Sequence, residues 1–206
     1  DLWQYSTDDG NTWTNADAGG PVSATHALLL RDADRLRFVP NSANDTVAGL
    51  GYRAWDQTSG TAGAYADTSA NGGTTAFSSQ ENAMDITVTA VNDAPVLASA
   101  APVLNPITED DTTNPGQTVA SFIGSTVSDV DSGATTGIAI TATNNGNGHW
   151  QYSTDGGSTW TTVSGLDGSN GLLLADTDKI RFVPNAENAT SPTFSYRAWD
   201  RTVGTA

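Results

Sequence analysis

The chain contains no cysteine, so disulfides and thiolate zinc sites are excluded from its 206 residues. Their absence leaves the compartment open. Lys179 is the only lysine, and the 8 basic residues face 23 acidic ones, for a formal net charge of −15. Phosphate binding depends on Lys and Arg displacing counterions, so nucleic acid is an unsuitable partner, and an anionic membrane surface is disfavoured for the same reason. No apolar run is long enough to span a bilayer, so no membrane insertion is expected. The sequence holds neither a G-x-S-x-G elbow nor an H-E-x-x-H helix motif. Its two histidines, His26 and His149, occupy non-equivalent places. No catalytic constellation is visible, and an enzyme is not expected.

What is there is a repeat. W-Q-Y-S-T-D-D-G-N-T-W at residues 3–13 returns as W-Q-Y-S-T-D-G-G-S-T-W at 150–160, an offset of 147. The run 27–41, ending D-A-D-R-L-R-F-V-P-N, matches 171–185, ending D-T-D-K-I-R-F-V-P-N, and Y-R-A-W-D recurs at 52–56 and 196–200; both are 144 apart. The first copy therefore carries three extra residues within 18–27. Two repeats cut out of phase are expected. Residues 1–93 form one that lacks its N-terminal third, and residues 94–206 one that lacks its C-terminal strands. The opening at Asp1 inside a motif, without a visible leader, marks the chain as an expected piece of something longer.

Alternating apolar and polar residues predict strands at 35–39, 50–55, 84–91, 118–123, 137–143, 179–183 and 194–199, separated by Gly- and Asn-rich turns. No amphipathic helix is predicted. The fold class read from this spacing is all-β, with β-sandwich domains in tandem.

The element S-x-D-x-G-x-T-W within 153–160 resembles the Asp-box hairpin of sialidase β-propeller blades. Blades recur at roughly 40–50 residues, whereas these hairpins stand 147 apart. The motif is accordingly read as structural. Asp155 accepts turn amides, Gly156 and Gly157 permit positive φ, and Trp150, Tyr152 and Trp160 pack beside the turn.

V-N-D-A-P-V-L (91–97) resembles the interdomain linker of cadherins. V-S-D-V-D-S-G (127–133) resembles their D-x-D-x-G loop, I-T-E-D-D (107–111) their glutamate-bearing strand, and Y-R-A-W-D their A-x-D. Together with F-V-P-N, the ordered set is similar to the tandem cadherin-like, bacterial Ig-like repeats of giant calcium-dependent surface adhesins of the RTX-adhesin type. The resemblance implies an extracellular bacterial surface protein serving cell adhesion or biofilm formation, in which Ca2+ stiffens a rod of repeats. It also implies that Asn92, Asp93, Asp129, Asp131 and Asp200 converge on the junction between the two repeats. Glu109 would face the next junction and Asp56 the previous one.

Asp32 and Asp34, matched by Asp176 and Asp178, resemble the mid-repeat acidic pair of cadherins, which would bring Asp32 and Asp34 to the central junction. An Asx turn leading into the R-F-V-P strand is the competing reading. The chemistry of short-spaced acids suits calcium, which takes six to eight oxygen ligands. The chain departs from cadherins in running straight from Asp93 to Ala94 and in its longer repeat. Neighbouring repeats are the expected partners. Two other readings stay open: a glycan-binding module using exposed aromatics such as Trp55, and a filament subunit whose strands complete the sheets of other copies.

Overall fold

The computed structural model describes residues 1–167 and 169–206, and the chain divides into two units, Asp1–Val91 and Asn92–Ala206. The described residues are overwhelmingly strand and turn, so the protein is all-β with open sheets.

In the first unit the strands are β1 (Leu2–Ser6), β2 (Thr14–Asn15), β3 (His26–Leu28), β4 (Arg35–Val39), β5 (Thr46–Tyr52), β6 (Tyr65–Asp67) and β7 (Asn82–Val88). They form the sheet β2-β1-β4 and the two-stranded ribbons β3-β6 and β5-β7. The second unit contains β8 (Val96–Leu97), β9 (Gln117–Thr118), helix α1 (Val119–Ile123), β10 (Val127–Ser128) and β11 (Gly137–Asn144). It continues with β12 (Gly148–Ser153), β13 (Thr161–Thr162), β14 (Leu172–Ala175), β15 (Lys179–Pro184) and β16 (Thr193–Trp199). These build the sheets β13-β12-β15-β9 and β14-β11-β16, with β8 and β10 paired separately.

The repeat is visible in the pairing register. Trp3 lies opposite Phe38 and Tyr5 opposite Leu36, as Trp150 lies opposite Phe182 and Tyr152 opposite Ile180. The ring pairs adopt the same edge-on geometry, at 5.2 Å for Trp3–Phe38 and 5.3 Å for Trp150–Phe182. The units nevertheless differ in how much they bury. In the second, Ile138 and Ile140 of β11, Leu174 of β14, Trp150 of β12, and Ile180 and Phe182 of β15 enter one apolar cluster, to which both large sheets contribute. In the first, the buried apolar residues are Ala16, Leu29 and Ala76, and Trp3 is only half-buried.

One element departs from the sequence reading. The run 118–123, expected as a strand, turns helical after Thr118. Val119, Phe122 and Ile123 follow the i, i+3, i+4 spacing of a single helical turn, and all three are buried. The first-turn amides, which have no intrahelical acceptor, are satisfied from outside: Val119 N–H donates to the Asp178 carbonyl and Ala120 N–H to that of Asp176, each at 2.8 Å. The strand expected over 50–55 also ends early. β5 closes at Tyr52, and Trp55 makes only an isolated bridge to Phe77.

Candidate metal centre

The predicted site residues of the second unit are positioned by a short ladder. β8 and β10 are antiparallel, with Val96 opposite Ser128 and Leu97 opposite Val127. Continuing that register outward sets Asp93 opposite Asp131, and the Asp93 N–H donates to Asp131 Oδ2 at 2.9 Å. The 129–133 loop is turned back on itself by two further bonds. Asp131 N–H donates to Asp129 Oδ1 at 3.0 Å, and Ala134 N–H to the Asp131 carbonyl at 3.2 Å. Gly133 supplies the positive φ of 75° that this turn requires.

Asn92 reaches a different acid. Its side-chain amide donates to Asp200 Oδ2 at 2.8 Å. The other oxygen of Asp200 accepts from Thr202 N–H at 3.0 Å and Thr202 Oγ1 at 2.8 Å. Donation from Asn92 foremost, then from Thr202, holds the Asp200 carboxyl below the usual carboxylate range. The first unit repeats the inner half of this arrangement. Asp56 Oδ1 accepts from Thr58 N–H at 2.9 Å and from Thr58 Oγ1 at 2.6 Å, and its pKa is likewise lowered. The threonines were not singled out from sequence. The signal was available as D-x-T at 56–58 and 200–202.

Four of the predicted residues thus meet in bonded pairs, Asn92 with Asp200 and Asp93 with Asp131, and Asp129 joins the second pair through its bond to Asp131. Among the described residues, no three acidic or histidine side chains converge closely enough to hold an ion between them. One atom is left in an unusual state: Asp129 Oδ2 is buried and has no hydrogen-bond partner. A buried, unpaired carboxylate oxygen is costly and calls for a cation or a donor. The side chains bonded in this part of the unit offer carboxylate and amide oxygens, a donor type that fits a hard ion such as Ca2+ and suits a thiolate-preferring metal poorly.

The remaining predicted residues stand apart from these bonds. Glu109 lies in a turn closed by Thr108 N–H and Oγ1 on Asp111 Oδ2, at 2.7 and 2.9 Å. In the first unit the Asp34 side chain is 1% exposed and its carboxylate is taken up by Arg31. It accepts from the Arg31 N–H at 2.7 Å and from Nη2 at 2.7 Å, which lowers its pKa. Its counterpart Asp178 accepts from Ala175 N–H at 2.7 Å. Asp32 is exposed beside this turn.

The Asp-box hairpins are built alike in both units. Asp155 accepts from Thr159 N–H at 2.9 Å, Thr159 Oγ1 at 2.7 Å and Ser153 Oγ at 2.7 Å. Asp8 accepts the matching bonds from Thr12 and Ser6. Gly156 and Gly157 take φ of 74° and 99°. Both carboxyls are saturated by neighbours in their own turn, the arrangement of a structural aspartate. Arg181 lies 4.0 Å over the Trp160 ring and Arg37 3.9 Å over that of Trp13, closing each hairpin.

Among the described residues no helix is long and apolar enough to cross a membrane. Comparison with family models, curated proteins and solved structures finds no match to this chain.

Proposed function

We propose that the chain consists of two tandem cadherin-like β-sandwich repeats from an extracellular bacterial surface adhesin, acting as a non-catalytic spacer whose stiffness depends on Ca2+. The observation that carries this reading is the chain of bonds from Asp93 to Asp131 and from Asp131 to Asp129, whose buried Oδ2 is unpartnered, together with the Asn92–Asp200 pair. Asn92 and Asp93 follow the last residue of the first unit directly in the chain. A divalent ion drawing their oxygens together with those of Asp129, Asp131 and Asp200 fixes the segment by which the chain enters the second unit. It also relieves repulsion in a chain of net charge −15. The sandwich assignment for the second unit is supported by the single apolar cluster that both large sheets share. Cell adhesion or biofilm formation is the role such a spacer serves, by holding a binding tip away from the cell.

The test is thermal unfolding and calorimetric titration of the 206-residue chain with Ca2+, with Mg2+ as control. Calcium at a hundredfold excess over Kd stabilises the binding state by about 2.7 kcal/mol, roughly 10–15 °C in Tm for the unit that binds it. Magnesium, which demands tighter octahedral geometry, gives a smaller shift. Neither a heat of binding nor a change in Tm with calcium would remove the ion from the mechanism.

A further inference from the structure

Between β15 and β16 the chain turns through N-A-E-N-A-T (185–190), and the first unit leads from β4 into β5 through N-S-A-N-D-T (41–46), 144 residues earlier. The second residue of each turn, Ser42 and Ala186, takes a positive φ, of 62° and 63°, a strained conformation for a residue that carries a Cβ. Both turns are held by the side chain of their first residue. Asn41 Oδ1 accepts from Ala43 N–H at 3.1 Å. Asn185 Oδ1 accepts from Glu187 N–H at 3.1 Å and from Asn188 N–H at 3.4 Å.

The fourth residue takes no part in holding the second unit's turn. The Asn188 side chain is exposed and, among the described residues, makes no hydrogen bond. The two residues after it are tied inward. The Ala189 carbonyl accepts from Asn147 Nδ2, and Thr190 Oγ1 from Asn147 N–H, each at 3.3 Å. A hydroxyl that accepts in this way keeps its own proton to donate. The turn therefore presents to solvent a carboxamide with no structural task, two residues before an anchored hydroxyl. That spacing, N-x-T with x other than proline, is the acceptor pattern of N-glycosylation. Of the 15 asparagines in the chain only Asn44 and Asn188 meet it, and they occupy the same place in the two units. Asn44 is half-buried where Asn188 is exposed.

We propose that Asn188 is a glycosylation site and Asn44 its less accessible counterpart. In the transfer, Asn188 Nδ2 forms a bond to the anomeric carbon of a sugar carried on an activated phosphate donor. The bond from that carbon to the phosphate oxygen breaks, and the phosphate leaves with the electron pair. One amide proton passes to a base of the transferring enzyme. No oxidant or reductant is needed. The loop gives up no packing to receive the sugar, because the side chain that carries it touches nothing that holds the fold. The site shares no residue with the acidic positions 92–93, 129–131 and 200, so it stands or falls independently of calcium binding.

The experiment presents the folded 206-residue chain to two sources of sugar. One is UDP-glucose with a soluble transferase that reads N-x-T, and the other a lipid-linked oligosaccharide with its membrane transferase. Intact mass and peptide mapping read the product: a single hexose from the first source, an oligosaccharide from the second. In the source that serves this chain, sugar is expected on Asn188, and on Asn44 several-fold more slowly, with the difference lost once the chain is unfolded. N188Q is expected to remove the Asn188 product while leaving Tm unchanged. T190V removes it and T190S keeps it, which separates the need for the hydroxyl from the bond to Asn147. Asn188 left bare with both sources, sugar added there only after unfolding, or T190V accepting as well as the parent overturns the proposal.

Discussion

The side-chain amide of Asn92 donates to Asp200 Oδ2 at 2.8 Å, joining two residues 108 positions apart in the second unit. The bond ties the segment that enters this unit to the end of β16. Nothing in the sequence around either residue alone requires it. The β8-β10 ladder delivers Asp93 to the acidic loop, and Asn92, one residue earlier, reaches Asp200 instead.

Substitution at this cluster separates ligands from supports. Asp129→Asn removes the charge of the buried, unpartnered oxygen and is expected to abolish the calcium-dependent rise in Tm. In calcium-free buffer the same variant is expected to be as stable as the parent or more so, because an amide is less costly to bury than a carboxylate. Asn92→Ala weakens calcium roughly tenfold by releasing Asp200. Calorimetry reads both.

The Asp-box turns predict an acid limit. Hydrogen bonds from Thr12 and Ser6 hold Asp8 down at about 2, from an ordinary value of 3.8, and the corresponding bonds lower Asp155 as well. A carboxyl with a depressed folded pKa stabilises fully above its unfolded value and loses that contribution as pH falls through the folded one. Tm is therefore expected to hold steady from neutrality to about pH 5 and to fall steeply between about pH 4 and 2. In Asp155→Asn with Asp8→Asn the limb below pH 4 flattens. Scanning calorimetry across that range is the check.

Unequal burial predicts unequal costs for matched residues. Trp150→Ala removes a ring at the centre of the apolar cluster and is expected to cost about 3–5 kcal/mol. Trp3→Ala, at the equivalent but half-buried position, costs less. Denaturant unfolding followed by tryptophan fluorescence compares the two.

Gly116 is a position where the backbone admits no side chain. It takes φ of 63°, and an added Cβ would stand 2.7 Å from the Ile180 carbonyl oxygen and 2.6 Å from the Trp160 ring. Gly116→Ala therefore combines strain with overpacking, and a loss of about 1–3 kcal/mol is expected. The same substitution at Gly156, whose surroundings are open, costs only the strain of its φ of 74°. Thermal denaturation of the two variants measures the difference.

The strands at 35–39, 137–143, 179–183 and 194–199 were legible because alternation along a strand is a local property, set by side chains pointing to opposite faces. The two Asp-box turns were legible for the same reason, since each is closed by residues within four positions of its aspartate. The acids of the 129–131 loop could be nominated from spacing.

What the amino-acid sequence could not decide was every question whose answer lies across the chain. The run 119–123 fits a strand by alternation and one helical turn by its Val119, Phe122 and Ile123 spacing. The second prevailed because Asp176 and Asp178, more than fifty residues on, offer carbonyls to its first amides. That Arg31 folds back onto the Asp34 carboxylate was likewise not legible in the D-x-D spacing. Repetition determined that two units share one plan. Only tertiary packing decided that the second gathers a core from two sheets while the first leaves Met84 and Ile86 in water, because burial depends on which faces meet.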